Sequence, residues 1–453
     1  MNKIYFFGLI IICFMLSVFS CTIPRATTIK TSPLPETFIS HESDTVSVAQ
    51  INRRTFFQDH FLNQLIDTAL VRNYDAQMAM EQIEIAKAYY KMSRGTLYPV
   101  MDFGIISTIT KASQSNKFLN NNAVSLSSSW EMDLWGKLRS SKKAARSRLL
   151  ASESGIQFIQ TALVAEVSSA YYELLALDAE LEIMGKNIKL QTTALDIVRI
   201  QKQAGKATDL AVQQFEAQLY STKAQRNTIQ QMIISAENYF NMLLNRFPQP
   251  ISRSKSFNIQ PLPGLLNVGV PFQLLKYRPD IVESGLLLEA AGFDLKAAEK
   301  AFYPTLKIQP TISLDLSSFN SNSFVLESLS SLLVPVFQQN MLKGNFAIKK
   351  SLLCQAFYNY EKVIRQGVTE VQTNMDKLVA IDQEILNRTN EVAILSNAIN
   401  TANDLYAYGY ANYLEVINAQ KSARDAELAL TNILKEKCLI IIGLYRAMGG
   451  GRN

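Results

Sequence analysis

The sequence predicts a mainly α-helical protein built as two tandem repeats, each joining very long helices to about two short strands of a membrane β-barrel. Three observations carry this. In 453 residues that are 48% hydrophobic there are only 18 Gly and 13 Pro, so turns are scarce and regular elements are long. Landmarks recur about 204 residues apart: Tyr98-Pro99 answers Tyr303-Pro304, Gly136 answers Asn340, Gly205 answers Gly409, and Leu210 answers Leu414. Stretches with a heptad hydrophobic period also alternate with stretches of period two.

At the N-terminus, Lys3 precedes an apolar run from Ile4 to Phe19, too short for a spanning helix, and residues 1–20 read as a secretory signal. Its end, Val18-Phe19-Ser20-Cys21, resembles a bacterial lipoprotein box; the alternative is an ordinary signal with an incidental Cys. Acylated Cys21 would anchor the chain to membrane lipid. Thr22 in place of Asp resembles the sorting signal for the outer membrane. Residues 22–50 are rich in Ser, Thr and Pro, so 21–60 is expected to be a lipid-anchored tether.

Residues 61–247 and 272–448 are the two repeats, each in the order helix, two strands, very long helix, turn, helix. A proline-rich crossover at 248–271 joins them, and 449–453 is a tail. The second repeat opens with Arg278-Pro279-Asp280-Ile281, where the first has Arg72-Asn73-Tyr74-Asp75. Neither half reads as an independent domain. Leu163, Val167, Ala170, Leu174, Leu177, Leu181, Met184 and Ile188 step by four and three. Val371, Leu378, Ile385, Val392, Ile399 and Tyr406 recur every seven residues. A period of 3.5 predicts left-handed supercoiling against neighbouring helices. From Gly136 to Gly205 such a helix would run about 100 Å, more than a compact domain holds. Gly205 and Gly409 permit the left-handed residue that ends a helix. Thr208 or Asp209, and Asn412, are N-cap candidates for the next.

In the strand regions, Leu306, Ile308, Pro310, Ile312, Leu314 and Leu316 alternate with Lys307, Gln309, Thr311, Ser313 and Asp315. Val124, Leu126 and Trp130 alternate with Ser125, Ser127 and Ser129. Segments near ten residues with one apolar and one polar face suit transmembrane β-barrel strands. About four strands per chain cannot close a barrel, and lipid does not tolerate open edges. Eight strands would be filled by their own side chains, whereas twelve leave a channel. A homotrimer is therefore predicted.

Several function classes are disfavoured. The charge sum, 45 − 39 = +6, reads as spread thinly and without a basic block, which argues against nucleic acid as a partner. The two histidines, His41 and His60, fall in the polar N-terminal stretch, so a His-based metal site or catalytic dyad is not expected. No P-loop occurs and no cofactor is expected. Cys354 and Cys438 read as small buried residues.

Four stretches remain: Trp130-Glu131-Met132-Asp133-Leu134-Trp135-Gly136-Lys137-Leu138, Arg278-Pro279-Asp280-Ile281, Val334-Pro335-Val336-Phe337, and Tyr408-Gly409-Tyr410-Ala411-Asn412-Tyr413-Leu414-Glu415-Val416. In this order they resemble the outer-membrane efflux proteins of the TolC and OprM type, in their lipidated drug-efflux branch, over nearly the whole mature chain. Asn340, where the family often has Gly, and Lys276-Tyr277 depart from the pattern. The resemblance implies a trimeric channel-tunnel with a twelve-stranded barrel in the outer membrane and a long α-helical barrel across the periplasm. It implies a periplasmic adaptor (membrane fusion) protein and an inner-membrane proton-driven pump as partners, the chain itself being a passive conduit and not an enzyme. Gly205, Leu210, Gly409 and Leu414 would form the adaptor-docking tips. Tyr406 and Glu415 would line the periplasmic aperture, with Asp209 near the slot that Ala211 fills in the first repeat. Glu415 also reads as a surface residue on a helix's first turn. Trp130 and Trp135, the only tryptophans, are either membrane-interface anchors or packing where strand meets helix. The row from Gln213 and Gln214 to Asn241 and Asn245 is either a polar channel wall or a solvated face. The exit duct of a type I protein secretion system shares the architecture, and an envelope coiled-coil scaffold is the reading from another class.

Overall fold

The computed structural model describes residues 52–111, 118–254, 271–316, 324–333 and 339–450. The expected signal, Cys21, most of the crossover, the Val334–Phe337 stretch and residues 451–453 lie outside the described residues. The elements are α1 (Arg53–Phe56), α2 (His60–Arg72), α3 (Tyr74–Gly95), β1 (Val100–Lys111), β2 (Phe118–Met132), α4 (Lys137–Gln203), α5 (Asp209–Leu243), α6 (Pro271–Tyr277), α7 (Pro279–Lys300), β3 (Thr305–Asp315), β4 (Phe324–Leu333), α8 (Gln339–Ala407) and α9 (Tyr413–Ala447). The series α3-β1-β2-α4-α5 and α7-β3-β4-α8-α9 follow the same order. Among the described residues, no helix is long and apolar enough to cross a membrane.

Packing divides the chain across the repeats and not between them. Of the described residues, those within 83–152 and 283–361 belong to one unit, and those within 52–82, 153–282 and 362–450 belong to the other. Each repeat thus contributes to both.

The first unit holds a four-stranded antiparallel sheet in the order β1-β2-β3-β4. Its register lines up the period-two pattern seen in the sequence. Phe103, Leu126, Ile312 and Leu326 pair across one face, as do Ile105, Val124 and Leu314. Asp102, Ser127, Thr311 and Glu327 pair across the other. The apolar face has no cover among the described residues: Phe103 and Ile105 are 73% and 71% exposed, and Leu326 is 65% exposed. In water, surface of this kind carries about 25 cal/mol per Å² of unrealised burial.

The second unit is held by seams of alternating three and four. Leu195 and Val198 of α4 pack with Val212, Phe215 and Leu219 of α5 and Val416 of α9. Leu177 and Met184 pack with Ile229, and Ile381 of α8 packs with Ile433 and Ile440 of α9. Each fully buried side chain of this size contributes about 1.5–3 kcal/mol.

Four expectations need correction. The tether does not extend to residue 60: Phe56 and Phe57 are fully buried and lie 4.6 and 5.3 Å from the Tyr445 ring. Asp59 caps α2 through the Leu62 amide and accepts from the Tyr171 hydroxyl at 2.8 Å. The tail does not begin at 449, because Gly449 and Gly450 are buried and close the last turn of α9 on Arg446 and Tyr445. The repeats match one residue later than expected, with Arg278 answering Asn73 and not Arg72. The Asn73 side-chain Nδ2 donates to the Leu243 carbonyl at 3.0 Å, and Arg278 donates to the Ala447 carbonyl at 3.1 Å, so each ties its repeat's opening to its closing helix. Of the cysteines, Cys438 is buried, which pushes its thiol up to about 12, but Cys354 is only half-buried.

Candidate functional site

The two helical turns of the second unit have the same construction. At the first, the Lys206 amide donates to Gln201 and the Gly205 amide to Lys202; at the second, Tyr410 donates to Leu405 and Gly409 to Tyr406. This pair of bonds satisfies the carbonyls at the end of α4 and of α8, and it requires a left-handed residue. Gly205 and Gly409 supply it with φ of +74° and +81°. The following helices begin on caps 204 positions apart. The Thr208 hydroxyl accepts from the Ala211 amide at 3.2 Å, and the Asn412 side chain accepts from Leu414 and Glu415 at 2.9 and 3.2 Å. Thr208, not Asp209, is the first cap. Leu210 and Leu414 stay largely exposed on the first turn of each helix, although both are apolar.

Of the expected aperture residues, Tyr406 and Glu415 flank the second turn and Asp209 lies at the first, and the three differ in environment. Glu415 is exposed, its amide bound to Asn412. Tyr406 is half-buried against the cluster around Val198 and Val416, and burial raises its phenol above the ordinary range. Its hydroxyl has no hydrogen-bond partner among the described residues. Asp209 is ion-paired with Lys202 across the first turn, which compensates its charge locally. Beside Tyr406, a groove of about 340 Å³ is lined by Leu190, Ile197, Phe215, Asn403 and Gln420. The polar row on α5 does not form a single wall: Asn241 is buried and bound to Gln249, and Asn245 ends the helix at φ 49°, donating to the Arg72 carbonyl.

The sequence reading missed a buried polar layer just behind the turns. On α4, Asn187 and Gln191 lie between Met184 and Leu195. On α5, Thr222 lies between Leu219 and Ile229; on α9, Gln420 and Arg424 lie between Val416 and Leu428. All five are buried. Arg424 reaches Thr222 at 3.4 Å and Asp425 at 2.8 Å, whereas both polar atoms of Gln191 and the Gln420 oxygen have no partner among the described residues. The signal was available: continuing the steps of four and three past Ile188 lands on Gln191 before Leu195 and Val198.

In the first unit, Trp130 donates from its indole nitrogen to the Leu97 carbonyl at 3.1 Å. Trp135 donates to the Pro304 carbonyl at 2.8 Å, stacks on Tyr303 at 5.1 Å, and is 48% exposed. The charge is not thinly spread here. Lys137, Arg139, Lys142, Lys143, Arg146 and Arg148 fall within twelve residues of α4 that contain no acidic side chain. The whole-chain sum hid this block.

An uncovered four-stranded membrane-type sheet, long helices and two matched helical turns define the subunit of a channel. The family model for outer membrane efflux proteins matches residues 65–246 and again 270–450. The chain belongs to that family, and is an outer-membrane efflux channel subunit. It is 27% identical over 449 residues to the cation efflux system protein CusC of Escherichia coli O6:H1, covering 97% of both chains. It is 26% identical to the probable outer membrane lipoprotein SilC of Salmonella typhimurium, covering 93% of each. Its fold matches a crystal structure of CusC with a TM-score of 0.87 at 25% identity, over 94% of this chain and 99% of that one.

Proposed function

We propose that three copies of this chain close a twelve-stranded barrel and serve as the passive outer-membrane conduit of an efflux pump for small molecules. The energy comes from an inner-membrane proton-driven pump, handed on through a periplasmic adaptor, and the chain performs no catalysis. The observation that carries this reading is the sheet: among the described residues, one apolar face lies bare and both edge strands, β1 and β4, lack an outer neighbour. Further copies satisfy the edges and lipid covers the face. In this reading Gly205 with Leu210 and Gly409 with Leu414 are the adaptor-docking tips. Tyr406 and Glu415 form the aperture, with Asp209 held beside it by Lys202. Trp130 and Trp135 anchor the sheet at the membrane interface. Cys21 carries lipid, consistent with the lipoprotein name of SilC. The test combines native mass spectrometry in detergent with planar-bilayer recording. A trimer that conducts is expected; a stable monomer or dimer without conductance rejects the proposal.

A further inference from the structure

We infer that the helix ends bordering the sheet form a basic collar that binds the headgroups of anionic phospholipid in the adjoining leaflet. The inference rests on the outer-membrane placement and adds a lipid class and the residues that select it. β1 starts, β2 ends, β3 starts and β4 ends at the same end of the sheet, as the pairings Val100 with Ser129, Met132 with Leu306 and Thr305 with Leu333 require. α3, α4, α7 and α8 all meet the sheet there, within six residues of a strand.

Cations gather at these four ends. Arg94 near the end of α3 and Lys300 at the end of α7 follow from the helix dipole, which favours positive charge at a C-terminus. The starts of α4 and α8 do not. An N-terminus carries positive partial charge, yet neither helix has an acidic residue in its first turn; α4 is capped from outside by the single Asp133 carboxylate, through the Leu138 and Arg139 amides, and places six cations in its first twelve residues. Lys137 and Arg139 are compensated by Glu131 at 2.5 Å and Asp133 at 3.0 Å. Lys142, Lys143 and Arg146 have no carboxylate partner among the described residues. Lys143 and Arg146 lie on the exposed face of α4, opposite the buried small residues Ser140, Ala144 and Ser147. Lys143 and Lys296 of α7 stand 5.5 and 5.4 Å from the same Phe293 ring, two like charges on one aromatic.

This arrangement is electrostatically unfavourable within the chain, and an external anion layer compensates it. Side chains on a helix lean toward its N-terminus, so the cations of α4 lean back toward the sheet and the apolar band that Phe103 and Ile105 expose. A leaflet's phosphate layer borders such a band. An anionic surface attracts a nearby Lys or Arg by an amount worth about fivefold in binding for each.

The two tryptophans report on this site, because both lie at the sheet's collar end and the chain has no others. The purified protein is reconstituted into vesicles containing brominated phosphatidylglycerol or brominated phosphatidylcholine at equal mole fraction, and quenching of tryptophan fluorescence is read. Brominated phosphatidylglycerol should associate about fivefold or more in preference. The preference should fall toward one at high salt, and in a variant carrying Lys142→Gln, Lys143→Gln and Arg146→Gln. Equal quenching by the two lipids in the native protein overturns the collar while leaving the membrane placement intact. A preference that resists both salt and the triple substitution also overturns it. Quenching by neither lipid overturns the membrane placement itself.

Discussion

Gly449 and Gly409 both sit in the left-handed region, but they should respond very differently to a methyl group. At Gly409 and Gly205 an added Cβ meets no atom within 4 Å. Alanine there incurs the left-handed penalty alone, about 1–2 kcal/mol. At Gly449, with φ +99°, the same Cβ would lie 2.4 Å from the Tyr277 carbonyl oxygen, 2.9 Å from its carbon and 3.1 Å from the Arg278 Cα. These are backbone atoms and cannot rotate away. Relief requires the end of α9 to withdraw from the α6–α7 junction, which stretches the 3.1 Å bond from Arg278 to the Ala447 carbonyl. An unsatisfied buried group adds about 1–3 kcal/mol. Gly449→Ala should therefore cost about 2–5 kcal/mol, from the strain and the lost bond together. Gly409→Ala and Gly205→Ala should each cost about 1–2 kcal/mol. Urea midpoints of the assembled protein at equal concentration, with assembly checked by native mass spectrometry, measure the difference. Equal shifts for Gly449→Ala and Gly409→Ala would refute the reasoning, because steric closure at Tyr277 is what separates the sites. The first repeat supplies an internal control: its equivalent of Gly449 is Asn245, which adopts φ 49° with its side chain on the Arg72 carbonyl.

Arg278→Ala should destabilise the fold by about 3–5 kcal/mol in chemical unfolding, since it leaves Asp280 and Glu370 facing an emptied buried site; a loss under 1 kcal/mol would reject the role given to this arginine. Glu415→Gln should reduce cation preference in planar bilayers with little change in thermal stability, and unaltered selectivity would place Glu415 outside the constriction. Gly409→Val should impair efflux without preventing trimer formation, because a β-branched residue disfavours positive φ; full drug resistance at normal expression would count against docking at that turn. Glu427 is held above the usual carboxylate range by burial, with Lys186 opposing. Its folded form therefore binds a proton more tightly than its unfolded form, so its contribution is fullest at acid pH and is lost as pH rises through the raised value. Glu427→Gln should accordingly stabilise the protein at neutral pH, with the advantage vanishing toward acid pH, as thermal melts at two pH values will show.

Much of this architecture was legible because long elements repeat their signals. The step from Leu163 to Ile188 and the alternation from Leu306 to Leu316 each draw on many positions, and both faces of the sheet emerged as the pattern placed them. Gly205 and Gly409 were legible for a different reason: few residues other than glycine end a helix in the left-handed region. What escaped depends on distant partners. Nothing local to Phe56 and Phe57 says that Tyr445 will cover them, so a Ser- and Pro-rich approach read as tether throughout. Gly449 looked like the start of a loose tail because the atoms that demand glycine there belong to Tyr277. The charge block beginning at Lys137 was in plain view but was averaged away by the whole-chain sum. The pairing of Asp209 with Lys202 follows from turn geometry, which spacing alone does not reveal.

The polar layer at Gln191, Thr222, Gln420 and Arg424 bears on how a conduit of long helices can be stable and still have a movable end. The apolar clusters on either side gain about 1.5–3 kcal/mol for each fully buried side chain. The layer between them runs the other way. Three buried polar atoms of Gln191 and Gln420 lack partners among the described residues, and a buried group left without one costs about 1–3 kcal/mol. Among the described residues Arg424 finds Thr222 and its neighbour Asp425, which is itself about half exposed. The seam's stabilisation is therefore interrupted between the Met184 cluster and the Val198 cluster that supports both turns. A shift of α9 against α4 and α5 at this level breaks few satisfied bonds. The same shift made in the Met184 cluster would open apolar contacts with nothing in return. By this balance, the polar layer between the Met184 and Val198 clusters has less to lose from rearrangement than the apolar packing on either side, including the cluster beneath Tyr406.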